Sequence, residues 1–201
     1  MLTSISPLGE RARASRWWLT TTAYVLSSTL GGTAAGVVAA LLGSLVPEAV
    51  RSSPATLVLV AVVLLVGLAF DLGAGGARLP SWRRQVDEAW LGRYRGWVVG
   101  TGFGAQLGVG VVTIVTSSTT YAVLLLCALS GSVTVGAVVG GLFGLVRALP
   151  LVLMARVDTR ERLWAVLRRV EHAAPIADRV ARLALAVGAA ALTVAALRGT
   201  A

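Results

Sequence analysis

Residues 96–146 read GWVVGTGFGAQLGVGVVTIVTSSTTYAVLLLCALSGSVTVGAVVGGLFGLV, a stretch without a charged side chain. A helix that crosses a bilayer needs about 20 apolar residues, because each residue adds about 1.5 Å to its length. The stretch is therefore long enough for two crossings, with polar interruptions at 116–120 and 130–132. We predict a bent helix over 97–129 and a further helix over 133–155.

Three more uncharged stretches flank the central one, at 17–46, 52–70 and 183–197. The first predicts one long span that is tilted, or broken near Gly31 and Gly32. The second predicts a span over 55–72. The third predicts a span over 176–197, provided that the arginines at its start extend their side chains to the interface. The sequence thus predicts an all-α, polytopic transmembrane helical bundle of about five spans, six being the alternative, in a single integral membrane domain over 1–201.

The overall composition agrees with this fold class. The chain is 56% hydrophobic and 13% charged, with a mean hydropathy of +0.81, whereas a soluble chain is roughly 45–50% apolar and about 25% charged. A soluble fold would lack the polar residues to cover its surface. The net charge of +9 comes from 18 basic residues, all arginines. They cluster between apolar stretches instead of forming a nucleic-acid surface, so we expect no nucleic-acid partner.

The positions of the arginines predict the orientation. Fourteen of them precede the first span, lie between the second and third, or follow the fourth, whereas Arg51 and Arg198 lie on the other side. Cytoplasmic loops carry the excess of arginine in membrane proteins. We therefore predict a multi-pass protein of the cell (cytoplasmic) membrane with a cytoplasmic N-terminus.

Two of the arginine-rich segments have an amphipathic pattern. Residues 156–175 place Leu163, Leu167 and Val170 at positions i, i+4 and i+7, with arginines around the rest of the helix. This pattern predicts an interfacial helix that binds membrane lipid through its apolar stripe and through anionic headgroups. Residues 81–94 predict a similar helix, the alternative being a basic loop that only sets the topology.

Glycine recurs at every fourth residue in both helices of the central stretch. Residues at i and i+4 share a helix face, so each row forms a groove in which another backbone can approach closely. We predict helix packing within this chain at these positions, with a homodimer or another membrane-protein partner as the alternative. The six glycines are Gly100, Gly104, Gly108, Gly136, Gly140 and Gly144.

Polar side chains inside the predicted spans are the candidates for function, because such groups are costly in hydrocarbon. Arg147 is a cation well inside a span, three residues before Pro150, and Asp71 is its candidate counter-ion. Alternatively, serine and threonine hydroxyls bond to their own helix, and Arg147 extends to the interface. The predicted intramembrane polar site comprises Gln106, Arg147, Thr113, Ser117 and Ser28.

The sequence argues against an enzyme. Cys127 is the single cysteine and His172 the single histidine, so neither a disulfide nor a zinc-ligand spacing exists within the chain. Walker A, HExxH and nucleophile-elbow motifs are also absent from the sequence. We expect no catalytic residues, no metal and no cofactor.

Two segments resemble the DsbD/CcdA family of membrane thiol–disulfide transporters. GFGAQLG at 102–108 resembles the glycine-rich lead-in of a core helix in that family, and GLVRALP at 144–150 resembles a later helix end. The resemblance covers about 97–155 and implies the family's fold, usually of six spans. In that family a Pro-Cys pair follows the lead-in, and two such cysteines pass electrons across the membrane. Here VGVVT occupies 109–113, which indicates a divergent member without the paired cysteines.

Three functions are compatible with these features. The first is a transporter-like protein that moves a small solute or ion through the polar parts of its spans. The second is a non-catalytic membrane subunit or scaffold that docks a partner. The third is a redox relay in which Cys127 pairs with the thiol of a partner, because disulfide exchange needs a second thiol.

Overall fold

The chain folds as an all-α bundle in a computed structural model that describes Pro7 and residues 16–73, 94–111 and 117–199. Within these ranges the structure contains helices and no strand, which confirms the predicted fold class. The α-helices are α1 Trp17–Ser44, α2 Glu48–Arg51, α3 Pro54–Asp71, α4 Gly96–Val109, α5 Thr119–Ser130, α6 Val133–Val152 and α7 Arg160–Arg198, and a 3-10 turn, Leu153–Arg156, continues α6. Among the described helices, α1, α3, α6 with its 3-10 extension, and α7 are long and apolar enough to cross a membrane.

Several helices begin at a residue whose side chain satisfies the exposed backbone of the first turn. The hydroxyls of Ser53, Ser132 and Thr159 each accept a hydrogen bond from the backbone N–H three residues later, at 3.3–3.4 Å. These are the N-caps of α3, α6 and α7. Serine and threonine are favoured there because their oxygen replaces a missing intrahelical acceptor. Serine and threonine residues between the apolar stretches therefore fix where α3, α6 and α7 begin.

Helix α1 lies at the centre and packs against α4, α5 and α6. Gly100 of α4 lies on the carbonyl oxygen of Thr20, and Gly108 lies on that of Ser28, so α4 runs parallel to α1. Gly136 of α6 lies on Gly36, and Gly144 lies on Ser28, so α6 runs antiparallel to it. Both glycine rows therefore face α1, where the helix backbones touch directly.

The first span is unbroken, and the expected break near Gly31 and Gly32 is not observed. Helix α1 continues through both residues. A Cβ at Gly31 would lie 2.7 Å from the carbonyl oxygen of Ala105, and one at Gly32 would overlap the carbonyl oxygen of Gly140. The two glycines therefore serve close packing against two different helices, not a bend of α1.

The third crossing consists of two helices instead of the predicted bent helix over 97–129. Helix α4 has 14 residues and α5 has 12, each too short to cross alone. Helix α4 follows the first part of α1, and α5 reaches its end, where Ala128 contacts Gly43. Together they accompany α1 over its whole length. At the end of α5, Arg51 donates a hydrogen bond of 2.9 Å to the Leu129 carbonyl oxygen.

Helices α3 and α7 form a second, antiparallel pair that joins the bundle through α5. A cluster of buried residues connects the three helices: Ala61, Leu64, Ala122, Leu185 and Ala189. The expectation of a separate interfacial helix over 156–175 is wrong, because α7 is continuous from Arg160 to Arg198 and contains Pro175. The predicted stripe of Leu163, Leu167 and Val170 is half-buried. The predicted helix over 81–94 lies almost entirely outside the described residues.

Candidate functional site

The gap between α4 and α5 lies beside the middle of α1. Gly110 follows α4 with a φ of +80°, a left-handed conformation that glycine adopts without a steric penalty. The two helix ends leave backbone N–H and C=O groups that need polar partners inside a bilayer. Polar side chains are therefore required at this depth. We call the region the polar break, and its described members are Asp71, Gly110, Ser117, Ser118, Thr120 and Arg147.

Asp71 holds the start of α5. Its carboxylate accepts hydrogen bonds from the backbone N–H of Ser118 at 2.9 and 3.1 Å and from the hydroxyl of Ser117 at 2.8 Å. The Ser118 hydroxyl lies 2.9 Å from the same carboxylate and 2.8 Å from the Gly67 carbonyl oxygen, and donates its one proton to either. A negative charge at a helix N-terminus is stabilised by the helix dipole. Asp71 thus ties the end of α3 to the beginning of α5.

Arg147 approaches the break from α6. Its Nη1 donates a hydrogen bond of 3.4 Å to the Thr120 hydroxyl, and its guanidinium carbon lies 5.2 Å from the centre of the Phe143 ring. A Cβ added at Gly110 would lie 3.2 Å from this Nη1. The cation therefore stands beside the end of α4, where the helix dipole is negative and stabilises it. Each half-helix end thus has a side chain of opposite charge next to it.

The expected ion pair between Asp71 and Arg147 does not form, because each bonds to a hydroxyl-bearing residue instead. Within the described part of the chain, the ion pair of the structure is Arg162–Asp158, at 2.7 Å on the exposed start of α7. The second expectation for Arg147, an extension to the interface, is also not observed. Its side chain is directed to Thr120, inside the bundle.

The other predicted polar residues lie at different places around the break. Ser28 is fully buried and donates a hydrogen bond of 2.7 Å to the Gly144 carbonyl oxygen, which joins α1 to α6. Gln106 is half-buried in the last turn of α4, one turn before Gly110. Ser117 belongs to the break itself. Thr113 lies outside the described residues.

Four residues of the break were not among the predicted site residues, and one of them, Gly110, contributes backbone conformation and no polar side chain. Asp71 was expected only as a counter-ion, and Thr120 and Ser118 belong to a hydroxyl-rich run in which composition does not distinguish the members. The sequence did contain one signal, because Asp71 ends an apolar stretch and a carboxylate there needs donors. Which donors it meets depends on the packing of α3 against α5.

The single thiol lies apart from the polar break. Cys127 is 1% exposed and occupies the last part of α5, eight residues after its start. A partner's thiol cannot reach it without a movement of the surrounding helices. Among the described residues, no three His, Cys, Asp or Glu side chains gather in a way that could hold a metal ion.

Comparison with known proteins identifies relatives over most of the chain. The family model for the DsbD transmembrane domain, described as "Cytochrome C biogenesis protein transmembrane domain", matches residues 1–165. The methylamine utilization protein MauF of Paracoccus versutus is 30% identical over 194 residues, which cover 92% of this chain and 68% of the relative. MauF of Paracoccus denitrificans is 29% identical over 187 residues, which cover 92% of this chain and 66% of the relative.

This chain thus spans about two thirds of the length of each of these two relatives. No solved structure matches it. The family resemblance inferred from residues 102–108 and 144–150 is confirmed, since the matched range contains both segments.

Proposed function

This chain belongs to the DsbD transmembrane family of cytochrome c biogenesis proteins, and we propose that it moves a small, negatively charged solute across the membrane in a biogenesis pathway. The polar break is the site that the solute would occupy. The arginine distribution supports an orientation in the cell membrane with the Trp17 end of the bundle in the cytoplasm. In this function the chain has the fold of its family but binds a solute instead of exchanging thiols.

The observation that carries this proposal is the environment of Arg147. A cation inside a membrane protein normally pairs with an acid or faces a water-filled cavity. Within the described ranges, the guanidinium has one hydrogen bond, a long one to Thr120, and no carboxylate oxygen within 4 Å. A guanidinium carries five N–H donors. An anion at the break would supply both the missing charge and acceptors for the remaining donors.

Broken helices that meet near the middle of the membrane are a recurring way to build a transport site, because their exposed backbone groups bind the solute. Here, too, one end of each half-helix lies next to a side chain of opposite charge. A solute anion that displaces the Thr120 hydroxyl could therefore bind directly to the Arg147 guanidinium, which is already positioned at the break.

A redox relay through a partner's thiol is the second candidate, and family membership favours it. The family is described by cytochrome c biogenesis, and a single cysteine can still form a mixed disulfide with another protein. The burial of Cys127 argues against this function in the conformation described. The relay would need α5 to move so that the thiol becomes accessible.

The remaining candidate, a non-catalytic subunit, would dock its partner elsewhere than on the glycine rows. Those rows are already packed against α1. Residues 171–180 of α7 are exposed throughout. This segment is the place at which we would expect a membrane-protein partner or a second copy.

Transport of small anions into proteoliposomes that contain the whole chain tests the first proposal. Labelled sulfate, acetate and glutathione are suitable probes, since they span inorganic, carboxylate and thiol-bearing anions. We expect uptake of at least one of them above empty vesicles, a loss of about tenfold or more in Arg147→Gln, equivalent to about 1.4 kcal/mol, and partial retention in Arg147→Lys.

Cys127→Ala is the matched control, because it alters a buried side chain apart from the break without removing a charge. Unchanged uptake in this variant together with loss in Arg147→Gln supports the transport proposal. Absence of uptake for all three probes, or uptake that Arg147→Gln leaves intact, contradicts it. If Cys127→Ala alone abolishes cytochrome c maturation in the source organism while Arg147→Gln does not, the redox relay replaces it.

A further inference from the structure

A cavity of about 480 Å³ lies between α3, α5 and α7, next to the polar break. Its walls are apolar apart from Ser118 and Tyr121. Val66, on the α3 side, is 50% exposed at the outer surface, so the cavity opens sideways. In a membrane-spanning bundle this surface faces the bilayer, and only molecules that dissolve in hydrocarbon reach the opening.

Two arginines of α7 precede the cavity residue Leu185 by about one and two helix turns. Leu185 of α7 forms part of the wall, and Arg182 precedes it by three residues, which places both on one face of the helix. Arg182 is half-buried. Arg179 lies about one helix turn further from Leu185 and is exposed. Side chains on a helix point towards its N-terminus. Because Gly199 at the end of α7 lies beside Pro54 at the start of α3, these arginines extend from the cavity towards the Trp17 end of the bundle.

We propose that the cavity binds one acyl chain of an anionic phospholipid, with the phosphate next to Arg182 and Arg179. An apolar space that opens to the bilayer is filled by hydrocarbon, because water gains no hydrogen bonds there. Basic residues at the membrane surface select negative headgroups. The two features are adjacent on α7, so one lipid molecule satisfies both. Three uncharged stretches of the sequence thus combine with two arginines into a lipid site.

The bound acyl chain would contact the start of α5. Ser118 is part of the cavity wall and is also the residue whose backbone N–H binds Asp71. An acyl chain against Ser118 would keep water away from the hydrogen bond between the Ser118 backbone N–H and the Asp71 carboxylate, and would thereby stabilise that bond. The lipid site thereby connects the membrane composition to the polar break, yet it is built from residues other than Arg147 and does not depend on the transport proposal.

Native mass spectrometry of the purified whole chain, with phosphatidylglycerol or phosphatidylcholine added to the micelles, tests this site. We expect retention of one phosphatidylglycerol molecule in preference to phosphatidylcholine. Arg182→Gln should weaken the retention of phosphatidylglycerol about fivefold, in line with about 1 kcal/mol for each arginine at a charged surface. Val66→Trp should abolish the retention of both lipids, because Val66 is half-exposed at the opening of the cavity and an indole there would block it.

Matched controls separate the site from general effects. Arg168→Gln removes the same charge from an exposed part of α7, 17 residues before Leu185, and Val138→Trp adds an indole at an exposed position of α6. Both should retain the lipid as the parent chain does. Equal retention of the two lipids by the parent chain, or unchanged retention in Arg182→Gln, overturns the proposal. If Val66→Trp fails to fold, the comparison of Arg182→Gln with Arg168→Gln decides the question.

Discussion

Helices α1, α4 and α6 pack backbone against backbone, whereas α3 and α7 pack side chain against side chain. In the first group, glycines lie directly on the carbonyl oxygens of the facing helix, as Gly140 does on Gly32. In the second group, Leu64 and Leu185 fill the contact, and a Cβ at Gly188 would meet Leu64 only at 3.4 Å. A cavity of about 480 Å³ remains beside this pair.

The difference reflects how helices associate in lipid. Without a hydrophobic driving force, association depends on close contact and on hydrogen bonds between helices, and glycine allows the closest approach. Helices α1, α4 and α6 associate through such glycine contacts along their length. We call these three helices the rigid frame. The α3–α7 pair makes fewer close contacts and encloses space for a bilayer component. The polar break lies on the border, since Asp71 comes from α3 and Arg147 from α6.

The largest effect is expected for Gly140→Ala. The new methyl group would overlap the carbonyl oxygen of Gly32, which is backbone and cannot rotate away. Overpacking of this kind costs typically 1–3 kcal/mol, and we expect about 3 kcal/mol because the two backbones must separate. Thermal unfolding of the purified chain in detergent, followed by circular dichroism, measures the loss.

Gly188→Ala is the control from the other region. Its methyl group makes an ordinary contact with Leu64, and alanine favours a helix by about 1 kcal/mol over glycine. The stability of this variant should remain unchanged or rise. Equal destabilisation by both substitutions would show that the two regions do not differ in packing.

A smaller effect is expected for Asp71→Ala, which removes the carboxylate that accepts hydrogen bonds from Ser117 and from the backbone N–H of Ser118. Hydrogen bonds to charged groups contribute about 1.5–3 kcal/mol, so we expect a loss of about 2 kcal/mol and faster backbone hydrogen exchange at 118–121. Hydrogen exchange followed by mass spectrometry detects the change. Glu48→Ala, an exposed acid on α2, should leave the exchange unaltered. Equal protection of α5 in both variants would contradict the role assigned to Asp71.

The smallest effect is expected for Ser28→Ala. Its hydroxyl joins two helices of the rigid frame, and such bonds contribute about 0.6 kcal/mol on average in membrane proteins. Thr193→Ala in α7 removes a hydroxyl that bonds only to its own helix, at Ala189, and should cost less. Unfolding of both variants under the same detergent conditions gives the comparison. A larger loss for Thr193 would reverse the assignment of α1 and α6 as the rigid frame.

Much of this architecture could be predicted from apolar stretches and helix periodicity. The helical fold class and three of the four long helices follow from composition and length, because bilayer thickness limits the possible elements. The fourth, α7, is continuous from Arg160 to Arg198, whereas the sequence predicts an interfacial helix and a separate span there. The ends of α3 and α6 agree with the prediction within a few residues. The division of the third crossing was not predicted, although the hydroxyl run at 116–120 lies at the gap. A run of serine and threonine is compatible with a helix, since their hydroxyls bond to the preceding turn.

The candidate site was predicted less completely. Arg147 and Ser117 were identified because charges and hydroxyls inside apolar stretches are rare and costly. The pairing of Asp71 with Ser117 and Ser118, and of Arg147 with Thr120, could not be predicted, because these residues lie between 27 and 47 positions apart in the chain. The chain also lacks the cysteine pair of its family, which removed the strongest functional signal.

The sequence by itself therefore determined the class of the protein, the positions of α1, α3 and α6, and the absence of thiol exchange within the chain, because these depend on composition, local periodicity and the count of one residue type. Only the tertiary structure decided which helices Gly140 and Gly188 meet, where α4 ends, and which donors face Asp71. These features depend on contacts between segments far apart in sequence, and in a membrane such contacts are selected by close packing and hydrogen bonding between helices.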